Sequence, residues 1–270
     1  MTDYRKDLSK AQTVVIKVGT STITYDTGRL NLSVIEKLVL VISDLKNQGK
    51  RVVLVTSGAI GVGSAKLGLK KRPEKMSEKQ AVASIGQCEL MYIYDKLFAE
   101  YGYHIGQILL TREEVSDKKR KKNVINTFNT LLKYNAIPIV NENDSISTEE
   151  IEFGDNDTLS AIVSELIDAE LLIILSDIEG MYDKDPREDE NAKLIPVIEI
   201  IDETIENAAG NKGTSRGTGG MLTKITAAKI AVKAGTNMVI ANGADPFVIR
   251  RILDGAQIGT LFLAQRKEQE

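Results

Sequence analysis

The chain has no tryptophan, a single cysteine (Cys88), a single histidine (His104) and only five prolines. One cysteine excludes an internal disulfide framework and points to a reducing compartment. One cysteine and one histidine together cannot assemble a Cys/His zinc site. His104 stands in YHIGQILL, at the start of a strand-like run, and reads as a structural histidine rather than a member of a triad. No apolar run approaches the ~20 residues that a membrane helix needs, and the opening MTDYRKDLSK is too polar for the core of a signal peptide. Neither sign of charge dominates: 35 Lys and Arg against 38 Asp and Glu leave −3. No overall field would gather nucleic acid or anionic lipid. The expectation is a cytoplasmic protein with neither nucleic acid nor membrane as partner.

What is present is ordinary in bulk and specific in pattern. The 270 residues, 42% hydrophobic and 27% charged, suffice for one large α/β domain or two small ones. Thr13–Val18 (TVVIKV) and Arg51–Thr56 (RVVLVT) are short β-branched runs, each followed by polar residues and a glycine, and read as buried strands. Between them Ile35, Leu38, Val39, Ile42 and Leu45 recur at helical spacing. Ser33 and Glu36 are placed as a capping box, and Gly49 stops the helix. The alternation continues with helices over Glu78–Glu100, Asn123–Tyr134, Thr158–Leu166, Met221–Ala234 and Pro246–Leu253. Strands are expected over His104–Leu110, Ile137–Asn141, Leu171–Leu175, Met238–Ala241 and Thr260–Leu263. Apolar runs without alternation belong inside a sheet covered on both faces. The prediction is therefore a doubly wound, mostly parallel sheet in a three-layer α/β/α sandwich, in which ligands gather beyond the C-terminal strand ends.

Four loops lie there. The first strand ends in Ile16-Lys17-Val18-Gly19, and a lysine within an apolar strand is costly unless it meets an anion. An edge lysine snorkelling to solvent is the simpler alternative. After the second strand, Ser57-Gly58-Ala59-Ile60-Gly61-Val62-Gly63 spaces its glycines GxxGxG. That spacing suits an anion-binding turn or a plain tight turn, and it is not the dinucleotide fingerprint. Asn141–Asp157 holds seven acids (Glu142, Asp144, Glu149, Glu150, Glu152, Asp155 and Asp157) and no base. It is either a solvated loop or a site for an ammonium group or Mg²⁺. Finally, Gly213–Lys224 places glycines ahead of a helix with Lys224 on its first turn, which suits a polyphosphate without being a Walker A motif. The KKRKK run, Lys118–Lys122, reads as a solvated face.

Taken in order, VVIKVGTS, VTSGAIGVG, IPIVNEND with FGDNDTLSA, LLIILSDIEGMYDKDP and GTGGMLTK resemble the glutamate 5-kinases, a branch of the amino acid kinase family, over nearly the whole chain. The resemblance implies an ATP-dependent phosphotransferase with L-glutamate as acceptor. Mg²⁺ would enter as MgATP, with no metal held by the protein alone. It implies Lys17 and Lys224 on the phosphates and Asp157 orienting both. Ser57, Gly58, Asp144 and Asn156 would bind glutamate. Gly19, Ser176, Asp177 and the loop Thr218, Gly219, Gly220, Met221, Leu222, Thr223 would bind ATP together with the two lysines. One domain spans 1–270, its first part (about 1–165) taking glutamate and its second (about 166–270) ATP. Homodimers or homotetramers are expected, as is coupling to glutamate-5-semialdehyde dehydrogenase. Many members carry a C-terminal RNA-binding-like domain, which is expected to be lacking here. Phe128 and Met181 depart from the commoner pattern. The open alternatives are N-acetylglutamate kinase, aspartokinase, uridylate kinase, or a non-catalytic amino-acid sensor on the same fold. A carboxylate acceptor, ionised at neutral pH with a pKa of about 4.3, needs no general base, which agrees with a chain holding one histidine.

Overall fold

The computed structural model describes residues 4–148, 155–186, 189–209 and 220–265. A 3-10 helix (Tyr4–Lys10) leads into β1 (Thr13–Val18), α1 (Thr20–Ile23), α2 (Leu32–Asn47), β2 (Arg51–Thr56), α3 (Ala59–Lys66) and α4 (Met76–Ala99). Next come β3 (Ile105–Leu110), α5 (Arg112–Ser116), α6 (Lys118–Lys133), β4 (Ile137–Glu142), α7 (Asn156–Leu166) and β5 (Leu171–Ser176). The chain continues through β6 (Val197–Ile198), α8 (Glu203–Ala209), α9 (Met221–Ala234), β7 (Asn237–Asn242), α10 (Val248–Leu253) and β8 (Thr260–Phe262).

The strands form one sheet in the order β3-β4-β2-β1-β5-β7-β8-β6. Pairing is parallel throughout except between β7 and β8, which run antiparallel. Strand alternation sorts side chains onto two faces. Val14, Ile16 and Val18 of β1 join a core with residues of α2, α4 and α10. Val15, with Val53, Val55, Leu172 and Ile174, faces α6, α7 and α9. Lys17 keeps step with Val15, so its side chain leaves the sheet on the α7/α9 face. After β1 the chain first builds outward through β2, then returns to β1's other side at β5. The C-terminal ends of β1 and β5 thus flank a topological switch point, where such sheets open a crevice.

Local chemistry departs from expectation in three places. The cap of helix α2 stands two residues earlier than expected, because Asn31 takes the place of Ser33 and accepts from the Val34 N–H. The capping box that does form is Thr111 with Glu114, at α5. The residues after β2, expected as a glycine turn, wind into α3 once Gly58 has turned the chain with φ 102°. Phe128 and Met181 are fully buried and fill the α6/α7/α9 core, so both departures serve packing.

Gly63 and Gly86 let α3 and α4 touch backbone to backbone. A Cβ on Gly63 would lie 2.0 Å from the Val82 carbonyl oxygen, and one on Gly86 1.8 Å from the Ala59 oxygen. The third glycine of GxxGxG therefore serves helix packing. Backbone cannot yield as a side chain can, and overpacking costs typically ~1–3 kcal/mol or more. Gly86→Ala should lower the thermal unfolding midpoint by about 5 °C or more. A midpoint within about 1 °C of the parent in calorimetry would contradict this contact.

Candidate active site

Three charged side chains, delivered by three elements, meet at the switch point. Lys17 comes from β1, Asp157 from the first turn of α7, and Lys224 from the first turn of α9; all three are buried. Lys17 Nζ lies 2.5 Å from Asp157 Oδ1, and Lys224 Nζ donates to Oδ2 at 3.1 Å. The Oδ1 contact is an ion pair without good hydrogen-bond direction. The Thr223 hydroxyl lies 2.8 Å from the Gly220 carbonyl and 3.2 Å from Asp157 Oδ2, so its single proton serves one of them at a time. Burial pushes the Asp157 carboxyl up. The charges of Lys17 and Lys224, with the hydrogen bond from Lys224, outweigh it and hold the carboxyl below the usual carboxylate range. Its place in the first turn of α7 favours the anion further. The cluster carries one net positive charge: two ammonium groups against one carboxylate.

A Cβ on Gly19 would stand 3.5 Å from Lys17 Nζ, an ordinary van der Waals contact, so Gly19 lies directly beside the ammonium. On the other side, Asn156 Nδ2 lies 2.8 Å from the Thr56 carbonyl, the Ser57 hydroxyl oxygen and Asn141 Oδ1, and its two protons serve two of the three at a time. Asn141 Nδ2 in turn donates to Gln87 Oε1 of α4 at 2.9 Å. Asp144 is half-buried in the turn after β4, where Ile146 and Ser147 N–H both donate to the Asn143 carbonyl. At the end of β5, Ser176 Oγ donates to Asp177 Oδ1 at 3.1 Å.

A buried lysine–carboxylate–lysine cluster at the switch point of a parallel sheet narrows the possibilities, and comparison with known proteins decides among them. The amino acid kinase family model matches residues 12–242. The chain belongs to the amino acid kinase family. A glutamate 5-kinase from Clostridium perfringens (strain 13 / Type A) is 55% identical over 268 residues, covering 98% of this chain and 100% of that relative. A glutamate 5-kinase from Thermoanaerobacter sp. (strain X514) is 52% identical over 94% of this chain and 68% of its own length. Among solved structures, isopentenyl phosphate kinase from T. acidophilum superposes with a TM-score of 0.63 at 17% identity, covering 93% of this chain and 99% of that one. UMP kinase from Bacillus anthracis gives 0.60 at 15%, covering 94% and 97%. At such identities the likeness shows the fold alone.

Within this amino acid kinase, the expected site residues are distributed unevenly. Lys17, Asp157 and Lys224 are in direct contact, and Ser57 and Asn156 are bonded to each other. Gly58 supplies the left-handed turn beside them. Gly220 precedes α9, Met221 and Leu222 open that helix, and Leu222 is exposed. Thr218 and Gly219 lie outside the described residues, as do Glu149, Glu150 and Glu152. Two acids of the Asn141–Asp157 stretch have separate tasks. Asp155 caps α7 by accepting from the Thr158 N–H at 2.7 Å, and Asp157 is committed to the two lysines. His104 is exposed beside β3, with its carbonyl accepting from Ile137 N–H. Sequence reasoning missed Gln87 and Asn141, whose polarity is unremarkable in a sequence and whose burial is not. No helix among the described residues is long and apolar enough to cross a membrane.

Proposed function

We propose that this chain transfers the γ-phosphoryl group of ATP, taken as MgATP, to the side-chain carboxylate of free L-glutamate, the first step of proline synthesis. The observation that carries this reading is the Lys17–Asp157–Lys224 cluster. The acceptor is already an anion and needs no base, so the barrier is the approach of one anion to another. A carboxylate oxygen of glutamate attacks the γ-phosphorus in line. The bond from that phosphorus to the β,γ-bridging oxygen breaks, ADP leaves, and an acyl phosphate forms. Lys17 and Lys224 neutralise charge on the transferring group and on the bridging oxygen, and Asp157 holds the two ammonium groups at a fixed separation. Both Asp157 oxygens face ammonium groups, which suits a Mg²⁺ ion carried by phosphate oxygens and water rather than by a protein cage. Gly19, Ser176, Asp177, Gly220, Met221, Leu222 and Thr223 are assigned to the nucleotide, with about 166–270 as the ATP-binding part and about 1–165 as the glutamate-binding part. Ser57, Gly58, Asp144 and Asn156 form the glutamate side.

Asp144 is the group assigned to the α-ammonium of free glutamate. Asp144→Ala should raise the KM for glutamate by about tenfold or more, the loss of a charge-assisted hydrogen bond. The KM for MgATP should change little, and equal shifts in both constants would reject the assignment. The labile product calls for a reductase such as glutamate-5-semialdehyde dehydrogenase close by, in the cytoplasm, with the kinase itself a homodimer or homotetramer. The deciding experiment measures ADP release from MgATP with glutamate, N-acetylglutamate, aspartate and UMP, with hydroxylamine present. Hydroxamate formation with glutamate alone is expected. Turnover confined to another acceptor would overturn the glutamate assignment, and silence with all four would favour a sensor.

A further inference from the structure

Asn156 Oδ1 and Gln87 Nε2 are among the buried polar atoms that have no hydrogen-bond partner among the described residues. They are the two ends of one chain of amides running Gln87–Asn141–Asn156. Backbone groups fix the polarity of that chain. The Glu142 N–H donates to Asn141 Oδ1 at 2.9 Å, which turns Asn141 Nδ2 toward Gln87. Gln87 must then present Oε1 to Asn141. At the other end, the Thr56 carbonyl can only accept, so the Asn156 amide nitrogen must face it. Asn156 is thereby left with its carbonyl oxygen turned away from every donor among the described residues. A buried unpaired acceptor costs about 1–3 kcal/mol unless a ligand completes it, and a cationic N–H donor completes it best.

Gln87 is held where it can do this. It lies on α4, 7% exposed, next to Gly86, whose backbone is pressed against Ala59 at the start of α3. Seven residues earlier on the same helix, Gln80 Nε2 donates to the Ser147 carbonyl of the turn after β4 at 3.1 Å. One face of α4 thus docks both β4's end and the turn that follows it.

We propose that Gln87 is a positioning residue for the acceptor site. Through Asn141 it adds to the hold that the Thr56 carbonyl has on the Asn156 amide, whose carbonyl oxygen then receives the ammonium of an α-amino acid. This proposal rests on the glutamate reading above. Gln87→Met keeps the length and removes both polar atoms. It leaves Asn141 Nδ2 without its acceptor, so that Asn141 is held only by the Glu142 N–H and Asn156 and the pair is placed less firmly. Gln87→Glu keeps an oxygen for Asn141, loses the Nε2 donor and adds an ionisable carboxyl.

The test is the steady-state kinetics of the full chain and both variants, with hydroxamate as product and the thermal midpoint measured alongside. For Gln87→Met we expect the KM for glutamate to rise about tenfold, with kcat and the KM for MgATP within about twofold of the parent. Gln87→Glu should return the glutamate KM to within about threefold of the parent. If Gln87→Met fails to fold, Gln87→Glu still decides, since a glutamate KM raised tenfold or more there would overturn the route through Asn141. Parallel shifts in both KM values, or unchanged kinetics with a lowered midpoint, would make Gln87 a packing residue only. A parent enzyme that forms no hydroxamate from glutamate refutes the functional reading instead, a result distinct from any of these.

Discussion

Asp157→Asn should be the most damaging single substitution in this chain, for folding and for catalysis together. The carboxylate is 1% exposed and has an ammonium group at each oxygen. The amide keeps its shape and removes the charge, leaving Lys17 and Lys224 buried, adjacent and both cationic. Removing one member of a buried ionic group typically costs about 3–5 kcal/mol; here two like charges remain, so the upper part of that range is expected. A thermal midpoint lowered by about 10 °C or more follows for a chain of this size, with kcat reduced by about 10³-fold or more as the phosphate clamps lose their fixed separation. Phosphate oxygens can supply the missing anion, so MgATP should stabilise the variant more than it stabilises the parent, and its KM should not rise. A variant that keeps its midpoint, or gains nothing from MgATP, would show that the lysines are held by something other than Asp157.

The same carboxylate sets an acid limit. Its folded pKa lies below the ordinary value of 3.8, so between the two the unfolded chain binds more protons than the folded one. Stability contributed by Asp157 is therefore present above about 3.8 and is lost as pH falls through the folded value. In Asp157→Asn that part of the acid-denaturation curve should flatten.

How far the molecule could be read in advance depends on what the physics leaves in a string of letters. β1, β2 and α9 were bounded to the residue, because an apolar run ending at glycine or polar residues is a local signal. The parallel α/β/α architecture followed from strands without alternation. Helix α3 was hidden because its glycines look like a turn, and only the contacts of Gly63 and Gly86 with facing backbone explain them. The reversed pairing of β7 with β8 is a long-range choice that neither strand announces. Lys17 was legible as a physical anomaly, a charge in a buried strand. Asp157 was not: six other acids surround it in sequence, and only the resemblance singled it out before the fold brought it to the lysines. Gln87 is the extreme case. It is one polar residue on a long helix, and its role depends on Asn141, 54 positions away.

Lys17→Met and Lys224→Met should each lower kcat by about 10²–10³-fold, the usual loss when one group stabilising developing charge is removed. Their effect on folding should be smaller than that of Asp157→Asn. Charge counting gives the reason: the native cluster is +1, either methionine leaves a neutral lysine–carboxylate pair, and the Asp157→Asn variant is left at +2. Methionine also fills the space of the lysine stem. For either lysine variant the KM for MgATP should rise, since a neutral cluster attracts a polyphosphate less than a cationic one. The two lysines serve one transition state through one carboxylate, so the double variant should lose much less than the product of the single losses. Combining Lys17→Met with Asp157→Asn should recover part of the midpoint lost in Asp157→Asn alone, because it removes one of the two unpaired cations. Recovery of the midpoint without recovery of kcat would separate the electrostatic role of the cluster in folding from its role in phosphoryl transfer. A double variant less stable than Asp157→Asn would mean that Lys17 holds β1 by packing, and that the charge balance among these three side chains does not govern the site.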